Sequence, residues 1–160
     1  MLSIYTIGHS DHATVDFVAL LRQHRISLVV DVRSQPYSRW APQFNRETLE
    51  QDLTEAGIGY RFMGDALGGR SSDPDLYVAG SLNYGRLEHT DAYREGIDRL
   101  IDLAGAECVA IMCGEGDYGQ CHRHLLIGQT LLKRGIEVLH INPDGQIVIA
   151  ELMPEQLSLF

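Results

Sequence analysis

The apolar positions change rhythm repeatedly along the chain. Residues 3–7 alternate and are β-branched, which predicts a short strand ending at Gly8-His9-Ser10. Phe17, Val18, Leu20 and Leu21 then recur at helical spacing to about Arg25, with Ser10 available as the cap. Residues 27–32 form a continuous apolar run broken by Asp31, the pattern of a strand buried on both faces. Residues 34–45, with two prolines, Trp40 and Phe44, predict a loop. A helix over about 46–56 is stopped by Gly57, and residues 58–63 predict a third strand. Residues 64–85 are rich in glycine, serine and aspartate and carry little periodicity, a length of loop that often serves function.

Thr90 or Asp91 caps a helix reaching about Leu103, and residues 108–112 predict a buried strand. Residues 121–134 predict a helix with Leu125, Leu131 and Leu132 turned inward and Gly135 as its stop. A strand over 136–141, an Asp144-Gly145 turn and a last strand over 146–149 complete the pattern. Strands alternate with helices throughout. The expected class is α/β, with a three-layer, mostly parallel sheet and helices on both faces. At 160 residues the chain suits one domain, residues 1–150, followed by a tail over 151–160.

Charge narrows the partners. Thirteen lysines and arginines against 22 aspartates and glutamates give a net charge of −9. Such a field repels phosphate, so nucleic acid is expected only indirectly, through a local basic patch or a tethering partner. No apolar run approaches the roughly 20 residues of a membrane span, so no membrane is expected. The start lacks the features of a signal peptide, and three cysteines, an odd number, fit reduced thiols in the cytoplasm.

The chemistry concentrates after the strand that ends at Met112-Cys113. In open α/β sheets ligands bind beyond the carboxyl ends of the strands. A helix starting near Cys121 offers unpaired N–H groups and the positive end of its dipole, and His122 and Arg123 adjoin it. All three features favour a thiolate at Cys121. Cys113 and Cys121 are therefore candidate nucleophiles, with His122 or His9 as acid/base and Glu115 as a base or an orienting carboxylate. Ser10, Asp31 and Arg33, at the ends of the first two strands, converge on the same rim if those strands are parallel neighbours. Asp31 then needs a cationic partner, Arg33 or His9. Arg33 and Arg123 are candidate anion clamps. Gly68 and Gly69 lie in the long loop as a candidate flap. Cys108, at the far end of the strand, is assigned to the core. No cofactor is predicted. Zinc held by Cys113, Cys121, His122 and His9 is the alternative, at a cysteine spacing longer than a usual zinc knuckle.

Several of these residues carry a family resemblance. Thr6-Ile7-Gly8-His9-Ser10, Asp31-Val32-Arg33 with Pro36, Phe44, Gly57-Ile58-Gly59-Tyr60, Leu67-Gly68-Gly69 and Tyr93-Arg94 match it. So do Met112-Cys113-Gly114-Glu115 and Cys121-His122-Arg123. Together they resemble the family called domain of unknown function 488 (DUF488), over about residues 3–149. The resemblance implies no settled activity. A second likeness is to rhodanese-like domains, which have a buried strand ending in Asp-Val-Arg and a later strand that delivers a persulfide-bearing cysteine into a loop. Cys113 holds the matching position, although the arginine or glycine and serine that follow it in rhodaneses are absent.

The last five residues, Gln156-Leu157-Ser158-Leu159-Phe160, are similar to the pentapeptide by which bacterial DNA polymerases and repair proteins dock on the replication sliding clamp. Three apolar residues at a free terminus suit binding as an extended, anchored peptide. A clamp encircling DNA would also supply the local concentration that an acidic protein lacks.

Three functions follow. One is a cysteine-dependent hydrolase or transferase acting on a phosphate-bearing or nucleic-acid substrate in DNA repair or modification, recruited by the tail. The second is a non-catalytic clamp-associated binding module with a structural or metal-supported cysteine loop. The third is rhodanese-like sulfur transfer.

Overall fold

The computed structural model describes residues 2–154. The tail motif over 156–160 lies outside the described residues. Six strands form one sheet: β1 (Ser3–Gly8), β2 (Leu28–Asp31), β3 (Gly59–Phe62), β6 (Val109–Cys113), β7 (Glu137–Ile141) and β8 (Ile147–Ile149). Their order is β3-β2-β6-β1-β7-β8, and only β8 runs antiparallel. β1 and β2 are therefore not neighbours. β6 lies between them, pairing Gly8 with Cys113 on one side and Asp31 with Met112 on the other. The strand ends expected to converge do so with the cysteine strand at the centre.

Helices α1 (Thr14–Gln23) and α2 (Arg46–Glu55) cover one face of the sheet, and α5 (Asp91–Ala106) covers the other together with the helix that follows Cys121. The two-residue period of the strands decides which residues meet which helices. Ile7, Val29, Ala110, Met112 and Ile141 pack with Phe17, Leu21, Leu49 and Leu53. Ile4, Val30, Val109, Ile111, Cys113 and Val138 pack with Ile97, Leu100, Leu126 and Leu131. Thr6 and His140 follow Ile4 and Val138 by two positions and so enter this second face, as does Cys113.

Three local differences from the sequence pattern have plain causes. Ser10 does not cap α1. It takes a positive φ of 49°, and α1 begins at Thr14 after Ala13. Residues 64–85 are less irregular than predicted, holding short helical turns α3 (Gly64–Leu67) and α4 (Tyr84–Leu87) and a small hairpin, β4 (Tyr77–Val78) with β5 (Ser81–Leu82). The helix after Cys121 opens with a π-helical stretch, Arg123–Gly128, before α6 (Gln129–Lys133). The wider turn rotates its inner face, so Leu126, Ile127 and Leu131 are buried while Leu125 and Leu132 are only half-buried.

Candidate active site

The site lies where β6 ends. Cys113 is 2% exposed and Cys121 is 4% exposed. The chain leaves β6 at Gly114, turns through residues 115–120, and returns at Cys121. The 3₁₀ turn Tyr118–Gln120 brings it back, with the Asp117 carboxylate accepting from Gly119 N–H at 2.9 Å. This crossing is tight. A Cβ on Gly8 would stand 1.7 Å from the Glu115 carbonyl oxygen, so the first strand passes the cysteine loop only because residue 8 has no side chain.

Arg123 organises the interior. It is 0% exposed and points from the π-helical stretch toward the sheet. Its Nε donates to Cys113 Sγ at 3.1 Å and one terminal nitrogen to Thr6 Oγ1 at 2.6 Å. The other donates to the carbonyls of Glu115 (3.1 Å) and Gly116 (3.0 Å). A buried guanidinium needs negative charge nearby. Among the described residues the ion pairs are Arg33–Asp31 and Arg134–Asp98, so no carboxylate serves Arg123. The two sulfurs do.

The ionisation of Cys113 and that of Cys121 depend on each other. Cys113 accepts from Arg123 and places its own hydrogen toward Cys121 and the Glu115 carbonyl (3.7 Å). Burial and the neighbouring sulfur push the Cys113 thiol well above its usual range. The hydrogen bond from Cys113, helped by His122, pulls Cys121 down to about 4. His122 Nδ1 lies 3.6 Å from Cys121 Sγ. Its Nε2 lies 2.9 Å from the Val32 carbonyl, which can only accept, so Nε2 carries hydrogen and Nδ1 is left to exchange a proton with sulfur. Gly69 lies against this ring: a Cβ there would come within 3.2 Å of it.

A second line of hydrogen bonds leads away from Arg123. Arginine only donates, so Thr6 must pass its own hydrogen to His140 Nδ1. His140 Nε2–H then donates to His124 Nδ1 at 3.0 Å. Tyr118 stacks on His140 with ring centres 4.2 Å apart. His140 is 0% exposed, and burial with Arg123 nearby lowers its pKa to about 3. The folded protein thus holds His140 neutral where an unfolded chain, with a pKa near 6.5, takes up a proton. Between those values the unfolded state binds more protons, so stability falls as pH drops, by up to about 1.4 kcal/mol per pH unit. Urea unfolding at pH 6 and pH 4.5 is expected to show a shallower pH slope for His140→Gln than for the parent, by close to one proton.

The model of the family described as domain of unknown function DUF488 matches residues 13–129. The chain belongs to that family. No curated protein and no solved structure matches the chain. The matched segment includes Cys113, Cys121, His122 and Arg123 of this DUF488 chain. Thr6, Gly8, His9 and His140 lie outside it.

The remaining candidates fall into distinct places. Asp31 is fully buried and gripped by Arg33, through Nε at 2.9 Å and a terminal nitrogen at 2.8 Å, and it also accepts from Tyr60 Oη at 2.6 Å. Arg33, not His9, is its partner. Neither Arg33 nor Arg123 extends into solvent as a clamp, since both are buried with their donors turned inward. The Glu115 side chain is exposed, and it is the carbonyl of this residue that holds Arg123. His9 is buried, stacks on Phe44 at 4.6 Å and donates from Nδ1 to the Ser10 carbonyl at 2.7 Å. Burial lowers its pKa. Ser10 Oγ bonds Asp11, and Gly68 packs against Ser34. Cys108 is half-buried at the far end of β6, its thiol toward the His24 carbonyl.

For zinc, the described residues bring together no group of three or more histidine, cysteine or acidic side chains with metal-binding geometry. Arg123 donates to Cys113 Sγ, one of the atoms such a site would use. No helix among the described residues is long and apolar enough to cross a membrane.

Thr6 and His140 are the site residues that sequence reasoning missed. Each is a polar residue inside an apolar strand and needs a buried partner, a signal that was present in the spacing.

Proposed function

We propose that the protein is a cysteine-dependent enzyme whose nucleophile is Cys121. The observation that carries this reading is Cys121 Sγ lying 3.6 Å from His122 Nδ1, on a ring held by the Val32 carbonyl at 2.9 Å, with Cys113 and His122 lowering the Cys121 pKa to about 4. Cys113 stabilises the resting thiolate. On attack, Cys121 Sγ bonds the electrophilic centre and the bond to the leaving group breaks, the leaving group taking its electron pair and a proton from solvent. His122 Nδ1 then takes the proton of an attacking water or second substrate, whose oxygen displaces sulfur and restores the thiolate. Arg123 acts as a positioning residue: it holds Cys113 and the loop carbonyls in register. A phosphate-bearing or nucleic-acid substrate in repair or modification fits this reading only if its charge is met by groups other than Arg33 and Arg123. The tail would recruit the enzyme to the sliding clamp. A peptide ending in residues 156–160 is then expected to bind a bacterial clamp at micromolar concentration, and a Leu159→Ala, Phe160→Ala peptide is not.

The second reading is sulfur transfer, favoured by the paired sulfurs. In that reading the Cys121 thiolate, rather than Cys113, attacks the outer sulfur of a sulfane donor, whose S–S bond breaks and whose remainder leaves as the anion, and the persulfide stands on Cys121. The third, a non-catalytic binding module, is separated from both by thiol labelling. At pH 6, a small thiosulfonate is expected to label Cys121 alone, with no label on Cys121→Ser, because free thiols with pKa near 8.5 are then almost wholly protonated. Labelling of Cys121 that begins only as the pH approaches 8 overturns the catalytic reading and favours the binding module.

A further inference from the structure

With Arg33 and Arg123 turned inward, the positive charge able to meet a phosphate lies elsewhere on the same rim. Between Asp31 and Glu47 the chain has no carboxylate and, besides Arg33, holds Arg39 and Arg46, in a chain of net charge −9; Arg46 lies over the Phe62 ring at 4.3 Å. Arg39 is exposed in this segment. Exposed Arg70 is bound to it: its backbone N–H donates to Ser34 Oγ at 2.9 Å and its guanidinium to Gln35 Oε1 at 3.2 Å. Trp40 is 94% exposed and Tyr37 is 56% exposed. Tyr37 Oη donates to Glu47 at 2.8 Å.

Trp40 is held out by design of the loop rather than left loose. Ser38 N–H donates to Asn45 Oδ1 at 2.7 Å, and Ser38 Oγ accepts from Trp40 N–H at 3.1 Å and Ala41 N–H at 3.2 Å. A large ring presented on a braced loop loses little freedom when something stacks on it. The loop begins at Val32, whose carbonyl anchors His122, and Arg70 follows Gly69, which lies against the His122 ring. The patch therefore continues from the cysteine site.

We infer that the loop carrying Tyr37, Arg39 and Trp40, with Arg70 beside it, binds single-stranded nucleic acid, a base stacking on Trp40 and phosphates meeting Arg39 and Arg70. Aromatic faces interleaved with arginine suit unpaired strands, since every base offers a π-face while a duplex hides its own. The local charge is complementary to phosphate, whereas the rest of this acidic chain repels it. The inference rests on the cysteine-enzyme reading, for which it names the substrate class.

Trp40 is the single tryptophan of the chain and reports directly on the contact. Titrating the full chain with a single-stranded oligonucleotide is expected to quench its fluorescence saturably. Affinity is expected to fall with salt at a log–log slope of roughly −1 to −2, about 0.7 per phosphate met. With a fluorescein-labelled strand read by anisotropy, Trp40→Ala is expected to weaken binding about tenfold, and Arg39→Ala or Arg70→Ala several-fold. A duplex of the same sequence is expected to bind more weakly than the single strand. Absence of quenching and binding overturns the inference, as does a Trp40→Ala variant that binds like the parent or a duplex that binds as tightly. Cys121→Ser is expected to bind the strand normally. Failure to bind by a protein whose Cys121 still labels at pH 6 sinks this surface alone, while binding without a low-pH thiolate sinks the enzyme reading alone.

Discussion

Arg123→Met is expected to cost at least about 3 kcal/mol of folding stability, because it removes one side of two buried and two part-buried hydrogen bonds at once. Methionine fills much of the volume, so the loss comes from unpaired polar groups more than from a cavity. Thr6 Oγ1, Cys113 Sγ and two loop carbonyls would be left in an interior that water does not reach. For a chain of this size that is a fall in melting temperature of roughly 6–12 °C, readable by calorimetry. The variant also removes the cation beside the sulfur pair, so its low-pH thiolate is expected to weaken. Arg123→Lys is expected to recover little, since a point charge cannot reach sulfur, hydroxyl and two carbonyls from one position. A melting temperature within about 2 °C of the parent for Arg123→Met would mean the network contributes little.

Gly8→Ala is expected to be comparably damaging through a different cause. A Cβ at this position stands 1.7 Å from the Glu115 oxygen, 2.5 Å from its carbonyl carbon and 3.0 Å from Gly116 Cα, all backbone atoms. No rotamer change relieves that overlap. Strand β1 or the cysteine loop must move, and the Glu115 carbonyl takes Arg123 with it. A cost of about 3 kcal/mol or more follows from overpacking against backbone. The same displacement parts Cys113 from Cys121, so labelling of Cys121 at pH 6 is expected to fall even in the folded fraction. An alanine variant that is stable and labels normally would show that the loop yields freely.

Much of this arrangement was legible in the residues. The alternation of buried runs and amphipathic stretches predicted the strand–helix order and the parallel sheet, because fully buried strands such as Leu28–Asp31 read differently from edges. Gly57 and Gly135, each with φ of +78°, end helices where predicted. Cys121 and His122 were legible because a cysteine at a helix start beside a histidine is electrostatically unusual.

Depth was less legible. Arg123 reads as an anion clamp from its neighbours, yet the π-helical turn aims it inward, and nothing in the residue order announces one extra residue per turn. Arg33 reads both as a partner for Asp31 and as an anion clamp, and only the fold shows that Asp31 occupies it on both oxygens. Glu115 reads as a carboxylate in the site, whereas the close passage of Gly8 turns its carbonyl inward and its side chain outward. Such reversals depend on how loops pass one another, which periodicity does not encode.

The central claim is that the two site cysteines hold one proton and one negative charge between Arg123 and His122. Thiolate absorbance in the ultraviolet, followed from pH 9 down to pH 4 in the intact chain and in Cys121→Ser, tests it without requiring a reagent to enter the site. The account predicts one thiolate that persists to about pH 4 and vanishes in Cys121→Ser, with Cys108 and Cys113 protonated throughout the neutral range. A chain with no thiolate absorbance below pH 8, or one whose low-pH thiolate survives in Cys121→Ser, would contradict it.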